Sequence, residues 1–142
     1  MTNNFNNKKG RSQRRISSFF VEWNSFSFSK KGEQRNVCGV ISGGKNRATQ
    51  GKEAEYEGEI YAVYLLKEVQ GKGYGTKLVK ALVDDFQHKR IRSMVVWVLA
   101  DNPSRLFYER LGGEKIAEEV VDIGGKKLVE WCYGWKSIEY FA

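Results

Sequence analysis

Seven consecutive residues, Gln70-Gly71-Lys72-Gly73-Tyr74-Gly75-Thr76, carry the clearest chemical signal in the chain. Three glycines at alternate positions lead directly into a helical pattern, so backbone N–H groups can crowd around an anion. Glycine has no Cβ to hold a phosphate off, and a helix N-terminus adds partial positive charge. A pyrophosphate suits such a cradle. The spacing does not match the dinucleotide fingerprint, whose third glycine lies further on and is followed by an acidic residue about 20 positions later. Nor does a Gly-Lys-Ser/Thr close the run, as a triphosphate-binding loop requires. On glycine spacing alone, a plain turn joining a strand to a helix fits equally well.

The flanking elements must position this turn. Before it, Glu59 to Leu66 is rich in β-branched and aromatic residues and predicts a strand. After it, Leu78, Leu82 and Phe86 recur every four residues beside Val79 and Val83, the apolar face of a helix beginning near Lys77. Ser93 to Leu99 is a continuous apolar run, as in a strand buried on both faces. Strand, crossover helix and strand make a βαβ unit with a parallel pair. Asp101 to Gly113 then reads as a short helix, with Asn102 as N-cap, Pro103 at its first position and Gly112-Gly113 as its stop. Gly124-Gly125 predicts a two-residue hairpin between Lys115–Ile123 and Lys127–Trp135.

With these residues in place the chain resembles the GCN5-related N-acetyltransferases, the acetyl-CoA-dependent superfamily. The resemblance rests on Gln70-x-x-Gly73-x-Gly75, the strand before it, the Asn102…Phe107-Tyr108-x-x-Leu111-Gly112 helix and the final hairpin, and it spans about Phe26 to Ile138. It implies an α/β fold with a central mixed, mostly antiparallel sheet and flanking helices. It also implies acetyl-CoA as co-substrate, with no metal, and acetyl transfer to a primary amine by direct attack in a ternary complex. The CoA pyrophosphate would lie on Gln70, Gly71, Lys72, Gly73, Tyr74, Gly75 and Thr76. The strand holding Val63, Tyr64 and Leu65 would splay from the Val95–Leu99 strand and bind the pantetheine arm through its backbone, as a peptide adds to a sheet edge. Such a transfer needs a deprotonated amine, a stabilised oxyanion and a protonated leaving thiolate. By the resemblance Tyr108 is the general acid, its phenol protonated at neutral pH, although a tyrosine beside Phe107 can also simply pack on the sheet. Glu59 is the candidate general base, against the alternative that Glu53, Glu55, Glu57 and Glu59 form a solvated acidic run. Asn102 would add a contact to the pantetheine arm or the acetyl end.

The chain departs from the family pattern before residue 26. Family members open with a strand and two helices ahead of the second strand, and that region walls the acceptor site. Here Phe26–Ser29 and Val37–Ser42 read as a hairpin around a Lys30–Asn36 loop, with about 25 residues before it. The expectation is therefore a domain over 25–142 whose N-terminal strand and helix pair are reduced or missing. Residues 1–24 form a basic segment outside it. A catalytically impaired acyl-CoA-binding remnant, serving as an interaction module, is the alternative to an enzyme.

Charge is unevenly placed. Residues 1–36 hold eight of the 24 Lys and Arg and two of the 17 Asp and Glu, a net of +6, which leaves +1 for the remainder. A basic arm of this kind can bind nucleic acid, anionic lipid or acidic protein, resembles a transit peptide, or is simply solvated, the reading favoured here. No apolar run is long enough for a membrane span or a signal segment. Cys38, Cys132 and His88 form no zinc-binding spacing, and the two cysteines read as reduced core residues. The expectations are a cytoplasmic protein with a small-molecule or protein amine as acceptor, no specific nucleic-acid or membrane partner, and a homodimer left open.

Overall fold

A computed structural model describes residues 16–22, 37–139 and 141. Six strands form one mixed sheet: β1 (Ile16–Glu22), β2 (Val37–Lys45), β3 (Gly58–Leu65), β4 (Met94–Leu99), β5 (Glu114–Ile123) and β6 (Lys126–Trp135), in the order β1-β2-β3-β4-β6-β5. Only β3 and β4 run parallel; the other neighbours are antiparallel. The crossover between β3 and β4 is α1 (Tyr74–His88), and β4 leads into α2 (Ser104–Arg110). This is the expected acyl-CoA N-acyltransferase architecture.

The first strand is where the structure differs from the sequence reading. The partner of β2 is Ile16–Glu22, in register from Ile16 opposite Gly44 to Glu22 opposite Val37. The expected partner Phe26–Ser29, and the Lys30–Asn36 loop, lie outside the described residues. The sheet therefore includes residues inside the 1–24 segment that composition set apart. Composition misled because the basic and polar residues before Ile16 dilute a short strand whose Phe19 packs on the core.

Core packing follows the helical periodicity. Leu78, Val79, Leu82, Val83 and Phe86 bury one face of α1 against Ile41, Ile60, Met94, Val96 and Val98 of the sheet. Tyr108 of α2 joins the same cluster with Tyr133 and Trp135, so both helices cover one face, here the helix face. The opposite face carries a smaller cluster of Tyr56, Val95 and Cys132, with Trp97, Ile116 and Ala117 packed against it. The punctuation of α2 is as read. Asn102 Oδ1 accepts from Ser104 N at 2.8 Å, and the last turn closes with Gly113 N to Tyr108 O at 3.0 Å, past Gly112 at φ 96°. Gly124 and Gly125 have φ 62° and 84°, the pair of positive values that a tight hairpin turn demands.

Candidate active site

A break in the sheet defines the site. β3 and β4 pair only across Gly58/Met94, Glu59/Val95 and Ile60/Val96. Beyond Ile60, β3 keeps its pairing with β2 as far as Leu65, and β4 keeps its pairing with β6 as far as Leu99. The inner edges of Tyr61–Leu65 and Trp97–Leu99 thus diverge without a strand partner among the described residues. The cause is local. Ser42 pairs with Ala62 while the next residue, Gly43, pairs with Ile60, so Tyr61 is an extra residue in β3. Such a bulge bends its strand and adds twist. At the open end, Leu66 N donates to Cys38 O at 2.9 Å, toward β2. Backbone alternation then turns the N–H and C=O groups of Val63 and Leu65 toward the gap and those of Tyr64 toward β2.

The glycine turn sits at the end of this wedge. A 3-10 turn, Lys67–Val69, leads to Gln70, whose side-chain amide donates to Leu65 O at 3.1 Å and ties the turn to the end of β3. Gly71 and Gly73 have φ 79° and 90°, values that favour glycine, and an added Cβ at either would meet no atom within 4 Å. The helix α1 starts at Tyr74, three residues earlier than its apolar pattern suggests, and Lys77 N closes the first turn onto Gly73 O at 3.2 Å. Among the described residues no side chain caps the N-terminus of α1, and no acidic residue occupies its first turn. The first-turn N–H groups of Tyr74, Gly75 and Thr76 are thus left for an outside acceptor, with Lys72 exposed beside them. Gly75 serves differently: its Cβ would lie 3.3 Å from Phe107 Cε1, so α1 and α2 touch there.

Tyr108 follows Phe107 in α2 and is 6 % exposed. Its ring packs edge-on against Phe107 at 5.2 Å and Trp135 at 6.2 Å, and tilts against Tyr133 at 6.5 Å. The hydroxyl makes no hydrogen bond among the described residues, and burial pushes its pKa up to about 12. The phenol therefore stays protonated at neutral pH and is available as a proton donor.

Glu59 is 5 % exposed and stands apart from the solvated run that would have explained it away. Ile60 points to the helix face, so strand alternation puts Glu59 on the opposite one, together with Val95 and Cys132. Both carboxylate oxygens are held by Arg47: its backbone N donates to Oε1 at 2.9 Å, Nε to Oε1 at 3.2 Å and Nη2 to Oε2 at 3.0 Å. Nothing in the sequence pattern pointed to Arg47, because the twelve-residue separation follows no strand or helix period. The structure thus brings Gln70–Thr76, Val63 and Leu65 together at the wedge, with Asn102 just past the open end of β4, Tyr108 on the helix face against Tyr133 and Trp135 of β6, and Glu59 at the closed end on the other face. Cys38 and Cys132 are buried and not joined in a disulfide, and burial pushes the Cys132 thiol up to about 12. Among the described residues no group of His, Cys, Asp and Glu could hold a metal, and no helix is long and apolar enough to cross a membrane.

Residues 37–121 match the family model described as FR47-like protein. The chain is similar to YuaI of Bacillus subtilis (strain 168), described as an uncharacterized N-acetyltransferase, at 36 % identity over 84 % of this chain and 70 % of that protein. It is also similar to N-alpha-acetyltransferase 30 of Schizosaccharomyces pombe, at 32 % identity over 66 % of this chain and 61 % of that one. Among solved structures, Arabidopsis thaliana NAA60 in complex with a bisubstrate analogue superposes with a TM-score of 0.71 at 15 % identity, covering 84 % of this chain and 75 % of that one. The same plant protein in complex with acetyl-CoA gives 0.64 at 13 % identity, with the same coverage of both chains.

Proposed function

Because the chain belongs to the FR47-like group of the GCN5-related N-acetyltransferases, and so to the acetyl-CoA-dependent N-acetyltransferases, we propose that it acetylates a primary amine by direct attack across the β3/β4 wedge. The observation that carries this reading is the loss of β3–β4 pairing past Ile60, opening beside the uncapped N-terminus of α1. The first-turn N–H groups after Gly71 and Gly73 suit the pyrophosphate of the donor, with Lys72 adding charge at the rim and Gln70 bracing the turn. The backbones of Val63 and Leu65 suit its amide-bearing arm. Oδ1 of Asn102 is spent on Ser104 N, which leaves its amide N–H for the same arm.

Tyr108 on the helix face donates a proton to the departing thiolate. Glu59 on the opposite face receives the proton of the attacking ammonium, directly or through water. Donor and acceptor then meet through the sheet. Direct transfer is preferred to an acyl-enzyme because the Cys132 thiol, with its pKa near 12, is not ionised at neutral pH. Two buried thiols outside any disulfide fit a reducing compartment such as the cytoplasm. One relative is an N-alpha-acetyltransferase, so the α-amine of a polypeptide is the first acceptor to try.

The test combines thermal melting with thiol release. Acetyl-CoA at about 100 times its Kd should stabilise the fold by about 2.7 kcal/mol, a rise of several degrees in Tm. Thiol release should then follow with at least one amine from a panel of free-α-amine peptides, N-terminally blocked lysine peptides and spermidine. A Tm rise without thiol release would leave a binding protein, and no Tm rise would remove the donor site as well.

A further inference from the structure

Among the described residues a single one grips the Glu59 carboxylate, and that grip extends to the bulge that opens the wedge. An ionised carboxylate offers about four acceptor sites. Arg47 fills three: two on Oε1, from its backbone N and Nε, and one on Oε2, from Nη2. The planar fork fixes the carboxylate in both position and rotation, which a lysine could not do. Beyond Glu59 the guanidinium carbon lies 4.0 Å above the ring of Tyr61, the bulge residue, and Tyr61 Oη donates to Lys45 O at 2.6 Å. The backbone of Arg47 is itself anchored through its neighbour. Asn46 Nδ2 donates to Glu53 O at 2.7 Å and Tyr56 O at 2.8 Å, and Asn46 Oδ1 accepts from Ala48 N at 3.0 Å. The loop after β2, the buried carboxylate and the bulge are therefore one connected unit.

We propose that Arg47 is a positioning residue for acetyl transfer: it orients Glu59 so that one acceptor site, on Oε2, remains for the proton of the amine, and it braces the bulge at Tyr61. This rests on the reading of Glu59 as the base. A purely structural ion pair would give the same contacts but would show only in stability, not in turnover per folded molecule.

The full chain is compared with Arg47→Lys, Arg47→Met, Glu59→Gln and the Arg47→Met/Glu59→Gln double variant. The assay is thiol release from acetyl-CoA with the panel amine that the wild type acetylates fastest. Lysine keeps the charge and loses the fork. Arg47→Lys should melt within a few degrees of wild type and keep its KM for acetyl-CoA within about twofold, while kcat falls on the order of 10- to 100-fold, as for a slightly misplaced catalytic group. Glu59→Gln should fall by about 100- to 10,000-fold, and the double variant should be no slower than Glu59→Gln alone. Wild-type kcat in Arg47→Lys, or losses that multiply in the double variant, would overturn the inference. Wild-type kcat in Glu59→Gln would instead overturn the base assignment, and no thiol release by the wild type would overturn the acetyltransferase reading beneath both. If Arg47→Met fails to fold because it strands a buried carboxylate, Arg47→Lys and the double variant, which strands no charge, still decide.

Discussion

Replacing Tyr108 by phenylalanine removes one oxygen and little else, which makes it the sharpest probe of the proposed acid. The ring contacts to Phe107, Tyr133 and Trp135 survive the change. The hydroxyl has no hydrogen-bond partner among the described residues, so no partner is orphaned and stability should shift by no more than about 1 kcal/mol. The expected effect on turnover comes from matching acid to leaving group. In water a thiol ionises near 8.5 and a phenol near 10, so protonation of a thiolate by tyrosine runs about 1.5 units uphill. Burial changes the comparison. It pushes Tyr108 up to about 12, and it pushes a buried thiol of the same protein, Cys132, to about 12 as well. A thiolate held in a similarly dry setting is therefore matched to the phenol, and proton transfer costs little. Losing a matched acid should lower kcat by about 100- to 1,000-fold, or about 3 to 4 kcal/mol of barrier. Thiol release at saturating acetyl-CoA and amine reads kcat, and the Tm rise with acetyl-CoA, which should match wild type, reads donor binding. Equal turnover in Tyr108→Phe would refute the acid assignment. An alkaline limb of kcat at pH 9–10 that vanishes in the variant would refute the premise that the phenol is strongly shifted.

Gly43→Ala should destabilise by several kcal/mol, read by denaturant unfolding, because the new Cβ would lie 2.7 Å from Glu59 O and 2.8 Å from Leu82 Cδ2, and a backbone oxygen cannot swing aside. Gly73→Ala should cost only about 1–2 kcal/mol of left-handed strain, since φ is 90° but the space is open; its larger effect should be weaker acetyl-CoA binding, read as a smaller Tm rise. The raised pKa values of Tyr108, Tyr133 and Cys132 make the fold sensitive to alkali. Each group is protonated in both states below its unfolded pKa, about 8.5 for the thiol and 10 for the phenols. Its stabilising contribution is lost as pH rises from there toward 12, by up to roughly a tenfold change in the folding constant per pH unit. Unfolding midpoints should thus be flat near neutrality and fall above pH 9, less steeply in Tyr108→Phe; a midpoint still flat at pH 11 would contradict this.

The parts of the site written in local order were legible from the sequence. The strand, glycine turn and helix from Glu59 to His88 follow one another in the chain, and so do the cap, proline and glycine stop of α2, so spacing alone could place them. What was not legible depends on register between separate strands. In β3 the helix-facing residues are Ile60, Val63 and Leu65, a step of three and then two. An apolar run without alternation conceals that shift, so the Tyr61 bulge leaves no mark in the sequence. Glu59 looked like a member of an exposed acidic series because its neighbours are acidic; tertiary contacts, with Arg47 among them, bury it. Arg47 was invisible for the same reason, as its link to Glu59 crosses a loop whose path no periodicity sets. At the other end, β1 was not assigned to the sheet because its seven residues follow a long polar stretch and pair with β2 across 14 residues that lie outside the described structure.

That Tyr108 and Glu59 stand on opposite faces of one sheet has a topological consequence. A single molecule bonded from the donor side to the acceptor side would have to pass between β3 and β4, with a strand on either flank. It could not lift off either face. It could leave only by sliding lengthwise, away from the Ile60/Val96 pair that closes the wedge and out past Leu65 and Leu99. A covalently joined ligand should therefore escape far more slowly than the separate halves would suggest from their contacts alone. In the proposed transfer the cut bond would release that constraint, and each product could depart from its own face.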